Sequence, residues 1–261
     1  MNSFFNNPKN ERDAFFSGQQ QKSTFFETKQ VDGVYQTAGE SMGLAAFYSR
    51  IYQIVAMGVG LSAVISLMTL YFFPENIRAM LLNPAVLIGL CIAEFILVFV
   101  LSAKSLKDAP SSLPLFFLYS ALNGVTLSVI ISFYAPGLVT AAFFISMAMF
   151  IVLSLYGRFT KRDLSGVGKA CMAGLFGLIV LGIVSIFIPF GNGLALLLSA
   201  GMILIFSGLI AYDNSMIKKY YEAVNGQVTQ GMAIQSALQL YLNFINIFIY
   251  LLRLLSILSE D

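Results

Sequence analysis

The chain has 261 residues, of which 58% are hydrophobic and 11% charged, with a net charge of +2 and a mean hydropathy of +0.81. A soluble domain carries about a quarter charged residues, so this apolar surface must face lipid; a charge near zero without a Lys/Arg-rich run excludes a nucleic-acid binder. There is no His, and the two Cys, Cys91 and Cys171, lie in apolar stretches without a CxxC partner, so no cofactor or metal site is expected.

Residues 1–45 are rich in Asn, Gln, Ser, Lys and Glu and lack sustained periodicity, the composition of a disordered tail. They hold no signal peptide, so insertion is expected to rest on the first spanning helix. Phe4-Phe5, Phe15-Phe16 and Phe25-Phe26 recur along them. These pairs read either as linear motifs for the membrane interface or a membrane-protein partner, or as unremarkable Phe pairs in a tail.

Residues 46–261 form the membrane domain, expected to be all-α and polytopic. Apolar runs long enough to cross a hydrocarbon core of about 30 Å lie at about 50–73, 83–103, 113–134, 138–157, 168–189, 193–217 and 235–258. Turn residues punctuate them, among them Asn83-Pro84, Ala135-Pro136-Gly137 and Pro189 to Gly193. Polar residues dilute the last two runs, and the alternative count is six spans with a re-entrant C-terminal helix. Thirteen of the 15 Lys and Arg fall on one side of the seven-span arrangement, while the opposite loops hold only Arg78. By the positive-inside rule the N-terminus is cytoplasmic and the C-terminus outside.

Small residues recur every four positions: Gly58, Ser62 and Ser66 in the first span; Ser120, Gly124, Ser128 and Ser132 in the third; Ala170 and Gly174 in the fifth. Such rows let membrane helices approach closely and need no chemical role.

The last span carries a polar stripe. On a helix advancing 100° per residue, Gln239, Asn243, Asn246, Tyr250 and Arg253 fall within a sector of roughly 80°. A spanning helix must turn such a stripe toward protein or water, and an ionisable group in hydrocarbon costs a few kcal/mol, which marks a functional site. Three ionisable side chains lie inside spans: Glu94, Asp213 and Arg253. Glu94 and Arg253 differ in depth by about 7 Å, so a buried ion pair between them is expected, with snorkelling of Arg253 as the competing arrangement. Asp213 is expected beside Asn243, where its carboxylate attracts cations at an inner vestibule; a surface pairing with Lys218 or Lys219 competes with this.

Three spaced motifs then carry a resemblance. They are Tyr156-Gly157 through Thr160-Lys161-Arg162-Asp163-Leu164-Ser165-Gly166, then Ala211-Tyr212-Asp213, then Leu240-Tyr241-Leu242-Asn243-Phe244-Ile245-Asn246-Ile247-Phe248 with Leu251-Leu252-Arg253. Over residues from about 45 to 261 the chain resembles the Bax inhibitor-1 family, in particular its bacterial inner-membrane branch. The resemblance implies a seven-helix bundle whose last helix is central and wrapped by the other six, acting as a pH-sensitive calcium leak. In relevant members two Asp, one on each of the last two helices, share a proton and control closure. Asp213 matches the first position, but Asn243 stands at the second. An amide neither titrates nor repels, so the resemblance implies a leak with a weakened or shifted pH response. Glu94 and Arg253 match the family's buried acidic and basic positions, and Lys104 stands near another basic one.

Enzymatic readings fare poorly. Ser165-Gly166-Val167-Gly168-Lys169 resembles a phosphate loop, but Asp163 replaces the first Gly and Ala170 the required Ser or Thr. An intramembrane hydrolase needs a Ser–His couple or zinc ligands, and a retinal protein needs a Lys in the last span. No enzyme is expected. The alternative to a leak is a non-conducting regulator that binds other membrane proteins, such as a quality-control protease.

Overall fold

An apolar run in hydrocarbon has no water for its peptide groups, so each must bond within its own segment, and a helix is the solution for a single run. The computed structural model describes residues 40–73, 75–187 and 192–259. In chain order these form strand β1 (Glu40–Ser41), α1 (Leu44–Phe72), α2 (Glu75–Leu81), α3 (Pro84–Leu106), α4 (Ser112–Ile131), α5 (Pro136–Phe159), α6 (Ser165–Phe187), α7 (Asn192–Ala223), β2 (Gln227–Val228) and α8 (Gln230–Ser259). The Phe pairs, and most of the expected tail, lie outside the described residues. Among those described, six helices are long and apolar enough to cross a membrane, and α6 adds a further apolar helix. The protein is an all-α polytopic membrane protein.

Local chemistry fixes the helix starts. Pro84 and Pro136 sit in the first turns of α3 and α5, where a missing N–H costs nothing, and Asn83 Oδ1 accepts from the Ala85 N–H at 2.9 Å. Asp163 begins α6 in the same way, accepting from Ser165 N at 3.2 Å and Ser165 Oγ at 2.7 Å. Lys219 donates to the same oxygen at 2.6 Å, and this exposed pairing holds the Asp163 carboxyl down at about 2. The ion pair therefore persists above the ordinary carboxylate range and is lost as pH falls through about 2.

The structure extends or corrects several expected elements. α1 begins at Leu44 rather than about 50, and α7 runs on to Ala223 rather than 217. The unanticipated α2 fills the break between the first two expected spans. Glu40–Ser41, within the segment read as tail, pairs antiparallel with Gln227–Val228, with Glu40 opposite Val228. The turn before β2 uses Asn225 and Gly226 at φ 50° and 77°, a left-handed pair in which glycine is at home. α8 runs unbroken for 30 residues, about 45 Å, long enough to cross a hydrocarbon core.

α8 is the hub. It packs against α1, α3, α4, α5 and α7, while α6 packs on α7 instead. Ala233, Ala237, Leu240, Tyr241, Ile247 and Leu252 are completely buried. At the periphery, Phe95 on α3 and Phe176 on α6 are 67% and 70% exposed, as side chains meeting acyl chains should be. Glycines, within the small-residue rows and outside them, allow close seams between helices. A Cβ on Gly124 of α4 would stand 2.7 Å from the Ser62 carbonyl oxygen of α1, and one on Gly157 of α5 would collide with the Ala211 carbonyl oxygen of α7.

Backbone contact of that kind cannot yield by rotating a side chain. Gly157→Ala is expected to lower stability by about 1–3 kcal/mol through forced separation of α5 and α7. Gly177→Ala, where a Cβ meets nothing within 4 Å, is expected to be neutral or stabilising by about 0.5–1 kcal/mol. Thermal unfolding of the detergent-solubilised variants separates the two.

Candidate functional site

Asp213 projects from α7 toward α8, where Asn243 is only 6% exposed. Asn243 Nδ2 donates to Asp213 Oδ2 at 2.6 Å, joining the two helices. Neither lysine near the end of α7 competes: Lys219 holds Asp163, and Lys218 lies 3.8 Å from Glu222. Among the described residues Asp213 makes no ion pair, and its second oxygen accepts no hydrogen bond. A neutral amide thus engages half of the carboxylate and leaves the other half open to a cation.

One turn earlier on α8, Gln239 is exposed and lines a cavity of about 320 Å³ with Gln235, Ser236, Ser105 and Tyr220. Gln235 Oε1 and Ser105 Oγ, both shielded, make no hydrogen bond among the described residues. Amide, hydroxyl and apolar side chains line the cavity together, and Gln239 stands one helical turn from Asn243. Asn246, one turn beyond Asn243, instead donates to the Leu242 carbonyl of its own helix at 2.7 Å. The stripe is satisfied piecemeal rather than as one continuous conduit.

The expected Glu94–Arg253 pair is not formed. Glu94 Oε1 accepts from Thr126 Oγ1 at 2.5 Å and Oε2 from Asn123 Nδ2 at 3.4 Å, both across the α3–α4 seam. Arg253 is exposed near the end of α8. Similar depth brings two charges together only if their helix faces also meet, and these do not. A hydroxyl and an amide solvate Glu94 in place of a cation, while Arg253 is free to extend toward the interface. Lys104, the further basic position, reaches Ser111 Oγ at 3.3 Å.

Two clusters went unread in the sequence. Tyr241 Oη donates to Asn123 Oδ1 at 2.9 Å and lies 2.7 Å from Ser62 Oγ, which also reaches the Ser120 carbonyl at 2.7 Å. With Glu94 this makes a buried chain of polar groups across α1, α3, α4 and α8. The second cluster centres on the fully buried Asn214. Tyr52 Oη donates to its Oδ1 at 2.6 Å, Tyr48 Oη to its carbonyl at 2.7 Å, and its Nδ2 donates to Ser154 Oγ at 3.2 Å. The available signal was an Asn deep in an apolar span, at 123 and at 214, which must find partners. Among the described residues no three His, Cys, Asp or Glu side chains gather to hold a metal.

Comparison with known proteins agrees with the motifs. A family model described as "Inhibitor of apoptosis-promoting Bax1" matches residues 44–260. An uncharacterized membrane protein of Streptococcus pyogenes serotype M1 is 50% identical over 215 residues, covering 82% of this chain and 93% of its own. Protein YrjE of Lactococcus lactis is 42% identical over 218 residues, covering 83% and 93%. Inner membrane protein YbhL of Escherichia coli K12 is 35% identical over 220 residues, covering 81% and 92%.

The buried polar chain makes a stability prediction. Tyr241→Phe removes the hydroxyl between Ser62 and Asn123 and is expected to cost about 1–3 kcal/mol. Asn246→Leu, which removes only a bond within one helix, is expected to stay within about 0.5 kcal/mol of the native protein. Unfolding midpoints measured in one detergent check both values.

Proposed function

Because the chain belongs to the Bax inhibitor-1 family, we propose that it is a passive cation leak, for calcium first of all, in which the Asp213–Asn243 contact is the closure. The observation that carries this reading is an ionisable carboxylate inside a membrane bundle, held on one oxygen by an amide and open on the other. A cation approaching through the cavity that Gln235 and Gln239 line competes with Asn243 for that carboxylate. Winning it releases α7 from α8. No covalent chemistry is involved, so the protein is not an enzyme.

In this arrangement seven helices span, α8 is central, the N-terminus is cytoplasmic and the C-terminus outside. The thirteen-to-one distribution of Lys and Arg supports that orientation. The name of the Escherichia coli relative supports the inner membrane as its location. The pH response follows from the amide. A shared-proton pair opens when the proton leaves and two carboxylates repel, whereas an Asn–carboxylate bond needs no proton between its partners. The leak is therefore weakly responsive to pH, or its response is shifted. The non-conducting regulator rests on the Phe pairs, which lie outside the described residues, and the same assay decides between the two.

Purified protein in liposomes loaded with a calcium dye is expected to give a flux above that of empty liposomes, and Asp213→Ala, which removes the closure, is expected to raise it; a flux unchanged by Asp213→Ala would contradict the role assigned to that contact. Native protein indistinguishable from empty liposomes would favour the regulator. Asn243→Asp is expected to make flux rise more steeply with pH than in the native protein. Superimposable profiles would contradict the role assigned to the amide.

A further inference from the structure

α1 and α5 both pack on α8 but flank an open groove between them. Phe244 of α8 forms its floor, with Phe143 and Phe150 of α5 set edge-on against that ring at centroid distances of 6.1 and 5.7 Å. Its two parts, about 570 and 240 Å³, share Val59, Phe143 and Phe244. The larger part runs along α5 from Phe143 to Arg158, about 22 Å by helix rise, close to one leaflet of hydrocarbon plus its headgroup layer. Its lining is almost wholly apolar, and it ends at a guanidinium.

The polar groups at that end are already committed, except one. The Tyr52 hydroxyl donates to Asn214, and Ser154 Oγ accepts from Asn214. Arg158 stacks over the Tyr48 ring at 4.7 Å and the Phe159 ring at 5.3 Å, and among the described residues it has no carboxylate partner. Tyr48 is itself fixed by its bond to the Asn214 carbonyl. A held, unpaired cation thus sits where an apolar groove reaches the interface. Planar guanidinium donors suit a phosphate better than a neutral headgroup.

We propose that the α1–α5 groove binds one anionic phospholipid of the surrounding bilayer, an acyl chain lying over Phe244 and the phosphate seated on Arg158. The inference is independent of ion conduction and assigns the site a lipid rather than a solute.

Native mass spectrometry of the full chain in detergent, with phosphatidylglycerol or phosphatidylcholine added at equal concentration, tests it. The native protein is expected to retain phosphatidylglycerol about tenfold more strongly, the scale of one charge-assisted contact. Arg158→Gln is expected to abolish that preference while leaving weak binding of both lipids. Lys161→Gln, an exposed cation that does not line the groove, should leave the preference intact. Gly60→Phe, at a groove position where a Cβ meets nothing within 4 Å, should reduce binding of both lipids without disturbing the fold. Equal retention of the two lipids by native protein overturns the proposal. So does a preference that survives Arg158→Gln or is lost equally in Lys161→Gln, or lipid binding unchanged in Gly60→Phe.

Discussion

A polar side chain deep in hydrocarbon has no water to turn to, so it must be answered by protein. That constraint bears hardest on α8, which carries Tyr241, Asn243 and Asn246 within six residues. Each is answered differently. Tyr241 bonds across to α4 and α1, Asn243 to the carboxylate of Asp213, and Asn246 to its own helix. Two of the three therefore require neighbouring helices at fixed positions, and the helices pack around α8 accordingly. A helix of uniform leucine would have no such need to be enclosed.

The close seams make those bonds geometrically available. Ser62 can reach both the Ser120 carbonyl and Tyr241 because glycines at 58 and 124 let α1 and α4 approach. Gly157 brings α5 against α7 beside Asn214, where Ser154, Tyr48 and Tyr52 converge. Packing and polar satisfaction are thus one device, since dispersion at the small-residue rows holds the distances that the hydrogen bonds need. On this framework the Asp213–Asn243 contact stands apart. It couples two helices through one carboxylate oxygen and leaves the other without a hydrogen-bond partner among the described residues.

Much of this was legible in the residues. Long apolar runs bounded by Pro, Gly and Asn located the long helices, with ends displaced by a few residues where polar termini continued the helix beyond the apolar stretch. The pairing of Asp213 with Asn243 followed from depth and composition. The Glu94–Arg253 pair failed because depth along two helices leaves their rotation undetermined, and Glu94 had hydroxyl and amide donors nearer at hand. Gln239 lay on the same stripe as Asn243, yet it lines the cavity near the start of α8 and is exposed. The Tyr241 and Asn214 clusters escaped because their partners lie 60 to 179 residues away in sequence, on helices whose pairing no single-sequence periodicity encodes.

The enclosure of α8 is most directly tested by oxygen accessibility of nitroxide labels placed singly along residues 233–252 in liposomes, with Phe95 and Phe176 as lipid-facing references. Low accessibility at the buried positions 233, 237, 240, 241, 243, 247 and 252, well below both references, is the result this account predicts. Values at 241 and 243 equal to those at Phe95 would put the polar edge against acyl chains and contradict it.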